Sequence, residues 1–359
     1  MKVIVDGRTI NNNMTGVGKF SYNTIRMMAK LRKDMKFFVL SNRSIYPFDM
    51  DNVEEIVVGN LISEQNTLNK IFSPMWINTF FRKKINILNP DILFYPNFVM
   101  PIINNYKSKS VAVIHDVIHK SYPKSHSLIY KKYLNFVINN TVKKADIITT
   151  PSKHSKKEIS KYYDCKENEI RVTPLGIHKK QNNYIELDFD FPYILLVGTH
   201  SPRKNLKVVY KAWKKLKNDF SDLKLVVVGK EGFFSDLVDK KGVIFTGYVS
   251  EKKLDALYKN AVVFCFPSLY EGFGMPILEA LSHGTPVISA NNSSLPEVLG
   301  DAGILVDANN IEEWEKGIHK IISDNKFRNK LVNRALQRAD IFSWKKTAEK
   351  YINIFEELI

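Results

Sequence analysis

The sequence predicts an α/β protein of two domains, each built on a parallel sheet, and three observations lead there. Residues 2–6, 193–197 and 262–266 are short apolar runs rich in β-branched and aromatic residues, the pattern of strands buried on both faces. Segments of helical periodicity follow such runs, which is the alternation of parallel α/β folds. The polar interval 177–191, with QNNYIELDFDF at its centre, separates two such halves, and 359 residues suit two cores better than one. The expected layout is an N-terminal domain over 1–176, a linker over 177–191 and a C-terminal domain over 192–341.

With 44% apolar and 25% charged residues the chain has an ordinary soluble composition. No apolar run reaches the length of a membrane span, and MKVIVDGR opens as a strand and not as a secretory signal, so a cytoplasmic location is expected. Cys165 and Cys265 fall in different domains, with Cys265 inside an apolar run; neither a disulfide nor a metal cluster is expected. The formal net charge of +16 is uneven: 27 basic against 14 acidic residues lie in 1–175, and 26 against 23 in 176–359. The stretch 119–161 alone holds ten lysines and two acids among interleaved apolar residues. A basic amphipathic segment of this kind attracts anionic lipid, at about 1 kcal/mol per charge near the surface. A solvated helix face is the plainer alternative. No nucleic-acid partner is expected, because no nucleic-acid motif accompanies the charge.

In chain order, residues 2–6 form the first strand, and the polar loop after it ends in Gly16-Val17-Gly18 before a helix over 17–30. A glycine-rich turn there lets a ligand approach the helix N-terminus, although Ser21 stands where a dinucleotide fingerprint places its third glycine. Strands are expected at 36–41 and 53–58, a helix at 66–84, and strands at 91–95 and 110–114. The last of these runs into His115-Asp116, which at the carboxyl end of a parallel strand points into the crevice where such sheets hold ligands. A helix over 126–145, a strand at 147–151, a helix capped by Ser152 and a strand at 171–175 complete the first half.

In the second half, strand 193–197 leads to Arg203 and Lys204 at the start of a helix reaching about 217. Two cations at a helix N-terminus repel its dipole unless an anion binds there, so their placement suggests a phosphate site. Arginine would clamp the phosphate in bidentate fashion and lysine would meet it as a point charge. Strands at 223–229 and 243–247 follow, the second leading through Tyr248-Val249 into a helix over 250–259. After strand 262–266, a loop with Gly272 and Gly274 leads to a helix starting near Pro276, a residue suited to a first turn. Glu271 sits in that loop and Glu279 in the first turn of the helix. Two carboxylates thus flank a loop whose N–H groups, with the helix dipole, suit a phosphate; hydroxyls, phosphate and hydroxyls again outline a nucleotide sugar. On spacing alone, Glu279 equally suits stabilising its own helix. Residues 286–290 read as a strand and 342–359 as a terminal helix.

The string from Glu271 to Glu279, E-G-F-G-M-P-x-x-E, and the S-x-G-T-P-V-I run after it resemble the donor site of family 4 retaining glycosyltransferases, which share the two-domain GT-B fold. The resemblance is specific over 264–307 and extends more loosely over nearly the whole chain. It implies two Rossmann-like domains facing across a cleft, donor held by the second and acceptor by the first, with the C-terminal helix crossing back to the N-domain. Gly16-Val17-Gly18 resembles the loop that approaches the donor diphosphate, and HDVIHKSYP the motif whose histidine, here His115, touches the donor sugar. Arg203-Lys204-Asn205 resembles the segment that holds the diphosphate; the family often carries its lysine a few residues later, which leaves Lys204 and Lys207 both open for the main contact. Tyr248-Val249 corresponds to the turn along the nucleotide base. By the same resemblance Glu271 meets the sugar hydroxyls, Gly272, Phe273 and Gly274 offer backbone donors, and Glu279 meets the ribose. Asp116 is acceptor-side or structural.

The resemblance also implies same-face attack assisted by the departing phosphate. No metal site is expected, and no cofactor besides the nucleotide-sugar donor. GTHSPRKNL and SLYEGFGMPILEAL look closest to bacterial mannosyltransferases of surface-polysaccharide assembly, so GDP-mannose is the first expected donor; rhamnose, glucose and N-acetylglucosamine remain open. A lipid-linked saccharide acceptor would account for the basic first half, since lipid pyrophosphate and the inner leaflet are both anionic, and would place the protein peripherally on the inner face of the plasma membrane. A GT-B nucleotide-sugar epimerase and a non-catalytic membrane-docking relative are the rival classes. The presence of both glutamates and the Arg-Lys pair weighs against the second.

Overall fold

An apolar run buried on both faces must hand its backbone groups to neighbours in one sheet, and the short runs of this chain do so. The structure, a computed structural model, describes residues 1–359 except 13, 59–74, 104–105, 126, 179–183, 231, 233 and 237. The chain divides into two units, Met1–Gly176 with Trp344–Ile359, and Ile177–Ser343.

The first unit is built on β1 (Lys2–Asp6), β2 (Lys36–Ser41), β3 (Val53–Val57), β4 (Ile92–Tyr95), β5 (Lys109–Val113), β6 (Ile147–Thr150) and β7 (Ile170–Val172). Their order is β3-β2-β1-β4-β5-β6-β7 and every pair is parallel. The second unit repeats the plan with β8 (Tyr193–Val197), β9 (Lys224–Val228), β10 (Val243–Gly247), β11 (Val263–Phe266), β12 (Val287–Ala290) and β13 (Gly303–Val306). There the order is β10-β9-β8-β11-β12-β13, again all parallel. In each sheet the winding reverses once, between β1 and β4 and between β8 and β11. Outside the carboxyl ends at such a reversal the flanking loops diverge and leave a crevice.

Of the helix expected over 66–84, residues up to 74 lie outside the described residues. The rest is a π-helical turn, Ile77–Phe81, continued by an α-helix, Arg82–Leu88, that ends on Asn89 in the left-handed region. Trp76, Ile77, Phe81 and Ile85 bury their side chains in the first core. Of the interval expected as a linker, 179–183 likewise lies outside the described residues, while Ile177 pairs with Ser343.

The terminal helix starts at Trp344, two residues later than expected, and runs to Glu357. Trp344, Ala348, Tyr351, Ile352 and Phe355 recur at helical spacing and are buried. This stripe packs on the helix Gly16–Leu31 and on the first sheet. The rings of Tyr351 and Phe355 lie 5.0 and 5.5 Å from Phe94, and Tyr351 is 6.0 Å from Phe20. Its hydroxyl meets Thr149 Oγ1 at 3.0 Å, and Arg32 pairs with Glu356 at the rim. Phe355→Ala is therefore expected to destabilise the first unit by about 3–4 kcal/mol. Arg171→Ala, which removes an ion pair exposed on both sides, should leave the urea midpoint nearly unmoved; equal shifts for the two variants would contradict this packing.

Candidate functional site

β8 and β11 are neighbours at the reversal of the second sheet, so the loops that leave their carboxyl ends are thrown together. After β8 the chain makes a 3-10 turn, Pro202–Lys204, and passes Asn205 in the left-handed region before the helix Leu206–Leu216 begins. After β11 it runs through Ser268 to Glu271. The two loops meet in an ion triad. Glu271 Oε1 accepts from Arg203 Nη1 and from Lys204 Nζ, each at 2.7 Å. Arg203 Nη1 also donates to the carbonyl of Tyr270 at 2.6 Å, and the N–H of Leu269 donates back to the carbonyl of Arg203 at 2.9 Å.

The cations thus lie in the turn before the helix and not at its start, and the anion they face is a carboxylate of the same chain. Lys204 is 8% exposed and its ammonium lies 4.8 Å from the centre of the Phe266 ring. Burial pulls its pKa down, only partly opposed by Glu271. Burial by itself would push the Glu271 carboxyl up, but Lys204 and Arg203 together outweigh it and hold the group below the usual range. Lys207 is exposed on the following helix, so of the two candidate lysines Lys204 is the one paired in the triad.

The glycine loop is held from the next crossover. Ser293 Oγ accepts from the N–H of Glu271 at 3.2 Å, and Ser294 Oγ donates to the carbonyls of Glu271 and Phe273 at 2.9 and 2.8 Å. Gly274 has φ +114° and caps the helix Met275–Ser282, a conformation that a side chain would strain; Gly272 does not share it. The Phe273 ring is buried against Phe342 at 5.9 Å, which leaves only the backbone of that residue for a ligand. Because the helix starts at Met275, Glu279 lies beyond its first turn, contrary to the expected position. Its carboxylate accepts from Tyr258 Oη at 3.0 Å. Tyr258 is fully buried, and the His283 ring stacks on it at 5.5 Å while Nδ1 meets the Glu279 carbonyl at 2.8 Å. Tyr248 and Val249 follow β10 at the sheet edge, Tyr248 being 79% exposed.

In the first unit, Gly16 opens the helix Gly16–Leu31 and a Cβ there would meet nothing within 4 Å. At Gly18 a Cβ would come within 2.2 Å of the Thr9 carbonyl, so only glycine lets the loop after β1 close on this helix. His115 follows β5, half-buried, with Nε2 2.9 Å from the Pro96 carbonyl and its ring edge-on to Phe20 at 5.0 Å. Burial lowers its pKa, against smaller opposing effects of Pro96 and Asp116. A carbonyl can only accept, so the proton of the neutral ring sits on Nε2 and Nδ1 is left as an acceptor. Asp116 Oδ1 accepts from the N–H of Ile118 at 3.0 Å, at the entry to a short helix.

Two family models match, "Glycosyl transferases group 1" over residues 179–338 and "Glycosyltransferase Family 4" over residues 14–181. Each match covers just under half of the chain and together they span residues 14–338, so the chain is a glycosyltransferase of the family 4 and group 1 type. It is 26% identical to O-antigen chain mannosyltransferase B of Escherichia coli over the full length of both. It is equally identical to O-antigen chain mannosyltransferase RfbU of Salmonella typhimurium over 86% of this chain and 88% of that one. Among solved structures it resembles sucrose-phosphate synthase of Thermosynechococcus elongatus (TM-score 0.80, 16% identity, 100% and 99% of the two chains). WaaG, a glycosyltransferase involved in lipopolysaccharide biosynthesis, matches with TM-score 0.75 and 16% identity over 99% of both. These likenesses establish the GT-B fold of two Rossmann-like domains.

Within this glycosyltransferase, sequence reasoning missed Tyr258, Ser293 and Ser294, whose roles rest on contacts across 21 to 23 residues. It also gave no sign of the buried ion pair of Asp6 and Arg8 at the end of β1. Arg8 clamps Asp6 through Nε and Nη2 at 2.8 and 2.6 Å, with its guanidinium 5.2 Å from the Trp76 ring centre. An acid and an arginine two residues apart at the carboxyl end of a strand were the available signal. An Asp-x-Asp string, Asp188-Phe189-Asp190, also occurs. Phe189 stacks inward on Phe191 at 4.6 Å while both acids are exposed, and no group of three metal-ligating side chains forms among the described residues.

Removing the carboxylate leaves two largely buried cations facing each other, so Glu271→Gln is expected to cost roughly 3 kcal/mol of stability. Millimolar pyrophosphate should restore part of the lost thermal midpoint, since it supplies the missing anion. The Glu271 pKa is depressed on folding, so its contribution is present at neutral pH and is lost as pH falls through the folded value. The gap in midpoint between wild type and Glu271→Gln should therefore narrow on acidification; a constant gap would exclude the triad as its source.

Proposed function

We propose that this glycosyltransferase moves mannose from GDP-mannose, with retention of anomeric configuration, onto a lipid-linked or growing surface-polysaccharide acceptor. The observation that carries the transfer chemistry is the pair of cations held at the reversal of the second sheet by Glu271. The choice of mannose rests on the O-antigen mannosyltransferases to which the chain aligns end to end or nearly so. Arg203 and Lys204 stabilise the diphosphate, where negative charge grows as the bond from the anomeric carbon to the phosphate oxygen breaks. A diphosphate drawing those cations frees Glu271 to accept from the sugar hydroxyls. Glu279 takes the ribose, with Tyr258 fixing its carboxylate, and the backbone of Gly272, Phe273 and Gly274 borders the same loop.

His115, neutral and with Nδ1 open as an acceptor, meets a donor-sugar hydroxyl. The acceptor oxygen bonds to the anomeric carbon on the face the phosphate leaves, and its proton passes to the departing phosphate oxygen. Gly16 and Gly18 form the backbone turn near the diphosphate, and Tyr248-Val249 the turn along the base. No metal or cofactor beyond the donor takes part in this reading. No helix among the described residues is long and apolar enough to cross a membrane. We place the protein peripherally on the inner face of the plasma membrane, held through its basic first half.

GDP and GDP-mannose are expected to raise the thermal midpoint, while UDP-, dTDP- and ADP-sugars leave it unmoved; a shift confined to another nucleotide would reassign the donor. Glu279→Ala should lower donor kcat/KM roughly 30- to 150-fold. Tyr258→Phe acts through Glu279 and should raise the donor KM roughly tenfold with little change in kcat. A product whose anomeric proton reports inversion would rule out the same-face mechanism.

A further inference from the structure

The basic stretch singled out in the sequence becomes, over Leu128–Lys144, a helix whose inner face is Leu134, Val137, Ile138, Thr141 and Val142. On the opposite face, Ile129, Lys132, Phe136 and Lys143 follow one another at spacings of three, four and seven, which places them on one line. Ile129 is 84% exposed and Phe136 58%, and Leu128 beside them is 73% exposed. Apolar side chains this open are unremarkable when scattered, but here they line one side of one helix. The neighbouring loop extends the strip. Asn140 Nδ2 donates to the Pro101 carbonyl at 3.4 Å and Lys144 Nζ to the Ile102 carbonyl, which brings Ile102 and Ile103, 48% and 47% exposed, alongside the end of the helix.

We propose that this face of the helix is the surface by which the protein docks on an anionic lipid bilayer, with the helix lying along the membrane plane. The helix carries four lysines and no acidic residue. A stripe of this kind sinks its apolar side chains between headgroups while lysine stems run beside them and their ammonium groups reach the lipid phosphates. A nucleic acid would match the charge but not the open Ile129 and Phe136. A soluble protein would need a groove that is both apolar and acidic along some 20 Å of helix, whereas any anionic leaflet offers both properties over any length. The inference deepens the peripheral attachment proposed above by naming the element responsible, and it is independent of which sugar or acceptor is used.

The test is sedimentation of the full-length protein with vesicles of phosphatidylcholine alone and of phosphatidylcholine mixed with phosphatidylglycerol, at low and high salt. Wild type is expected to bind only the mixed vesicles, and less at high salt. Lys132→Ser with Lys143→Ser should weaken binding roughly thirtyfold. Ile129→Ser with Phe136→Ser, at positions too exposed to disturb the fold, should weaken it at least about tenfold. Lys153→Ser with Lys157→Ser, an equal change of charge on exposed positions of the helix Lys153–Tyr162, should retain most of the binding, with circular dichroism confirming that all three variants are folded. Variants of Leu128–Lys144 that bind as wild type would overturn this surface and leave peripheral attachment standing. Wild type that ignores phosphatidylglycerol would overturn both. Equal loss in the control variant, or binding only to membranes that retain their proteins, would overturn the surface in favour of diffuse charge or of a protein partner.

Discussion

A single carboxylate oxygen, Glu271 Oε1, is shared by a guanidinium and an ammonium at 2.7 Å each, and the organisation of the second unit turns on it. Three charged groups mostly withdrawn from water are tolerable only as a set, because removing one leaves the others uncompensated at low dielectric. The set ties the loop after β8 to the loop after β11, with the carbonyls of Tyr270 and Arg203 as further ties. In the reaction proposed above, a diphosphate takes over the two cations from Glu271, so the carboxylate holds them in place until that anion arrives.

The remaining supports follow one rule: each group proposed to meet the ligand is fixed by a residue from another loop or strand end. Ser293 and Ser294 hold the backbone of the glycine loop, and Tyr258 holds the carboxylate of Glu279. Pro96, at the end of the neighbouring strand, holds the ring of His115. Flexible loops become exact in this way only because the parallel sheet beneath them is rigid. The first unit gains rigidity from the end of the chain, whose last helix buries Tyr351 and Phe355 against Phe94.

Charge and apolar exposure divide unevenly between the units. Most of the positive excess lies in residues 1–175, and the barest apolar helix face among the described residues, with Ile129 and Leu128, lies there too. In the second unit Arg203 and Lys204 are already neutralised in part by their own glutamate, so their charge stays local and adds little to a broad positive field.

Much of the fold was legible in the sequence. A strand buried on both faces must be apolar throughout, so 193–197 could be located to the residue and 262–266 to within one; the edge strand 243–247, only partly buried beyond Val243, shows instead in its run of β-branched and aromatic residues. Ser152 and Ser250 cap their helices through local bonds that sequence patterns encode. The glycine loop and its flanking glutamates were equally plain, because they are contiguous. Sequence alone suggested a phosphate beside Arg203 and Lys204 and gave no sign that Glu271, 68 and 67 residues away, is the anion they face. It left Lys204 and Lys207 open, and put Glu279 in a first turn that begins one residue earlier than Pro276 suggested. Only strand order decides which lysine is enclosed: once β8 lies beside β11, Lys204 is buried against Glu271 and Lys207 faces solvent. Backbone preferences and burial patterns act over a few residues and are written locally, whereas the partner of a buried charge is whichever group the sheet brings to it.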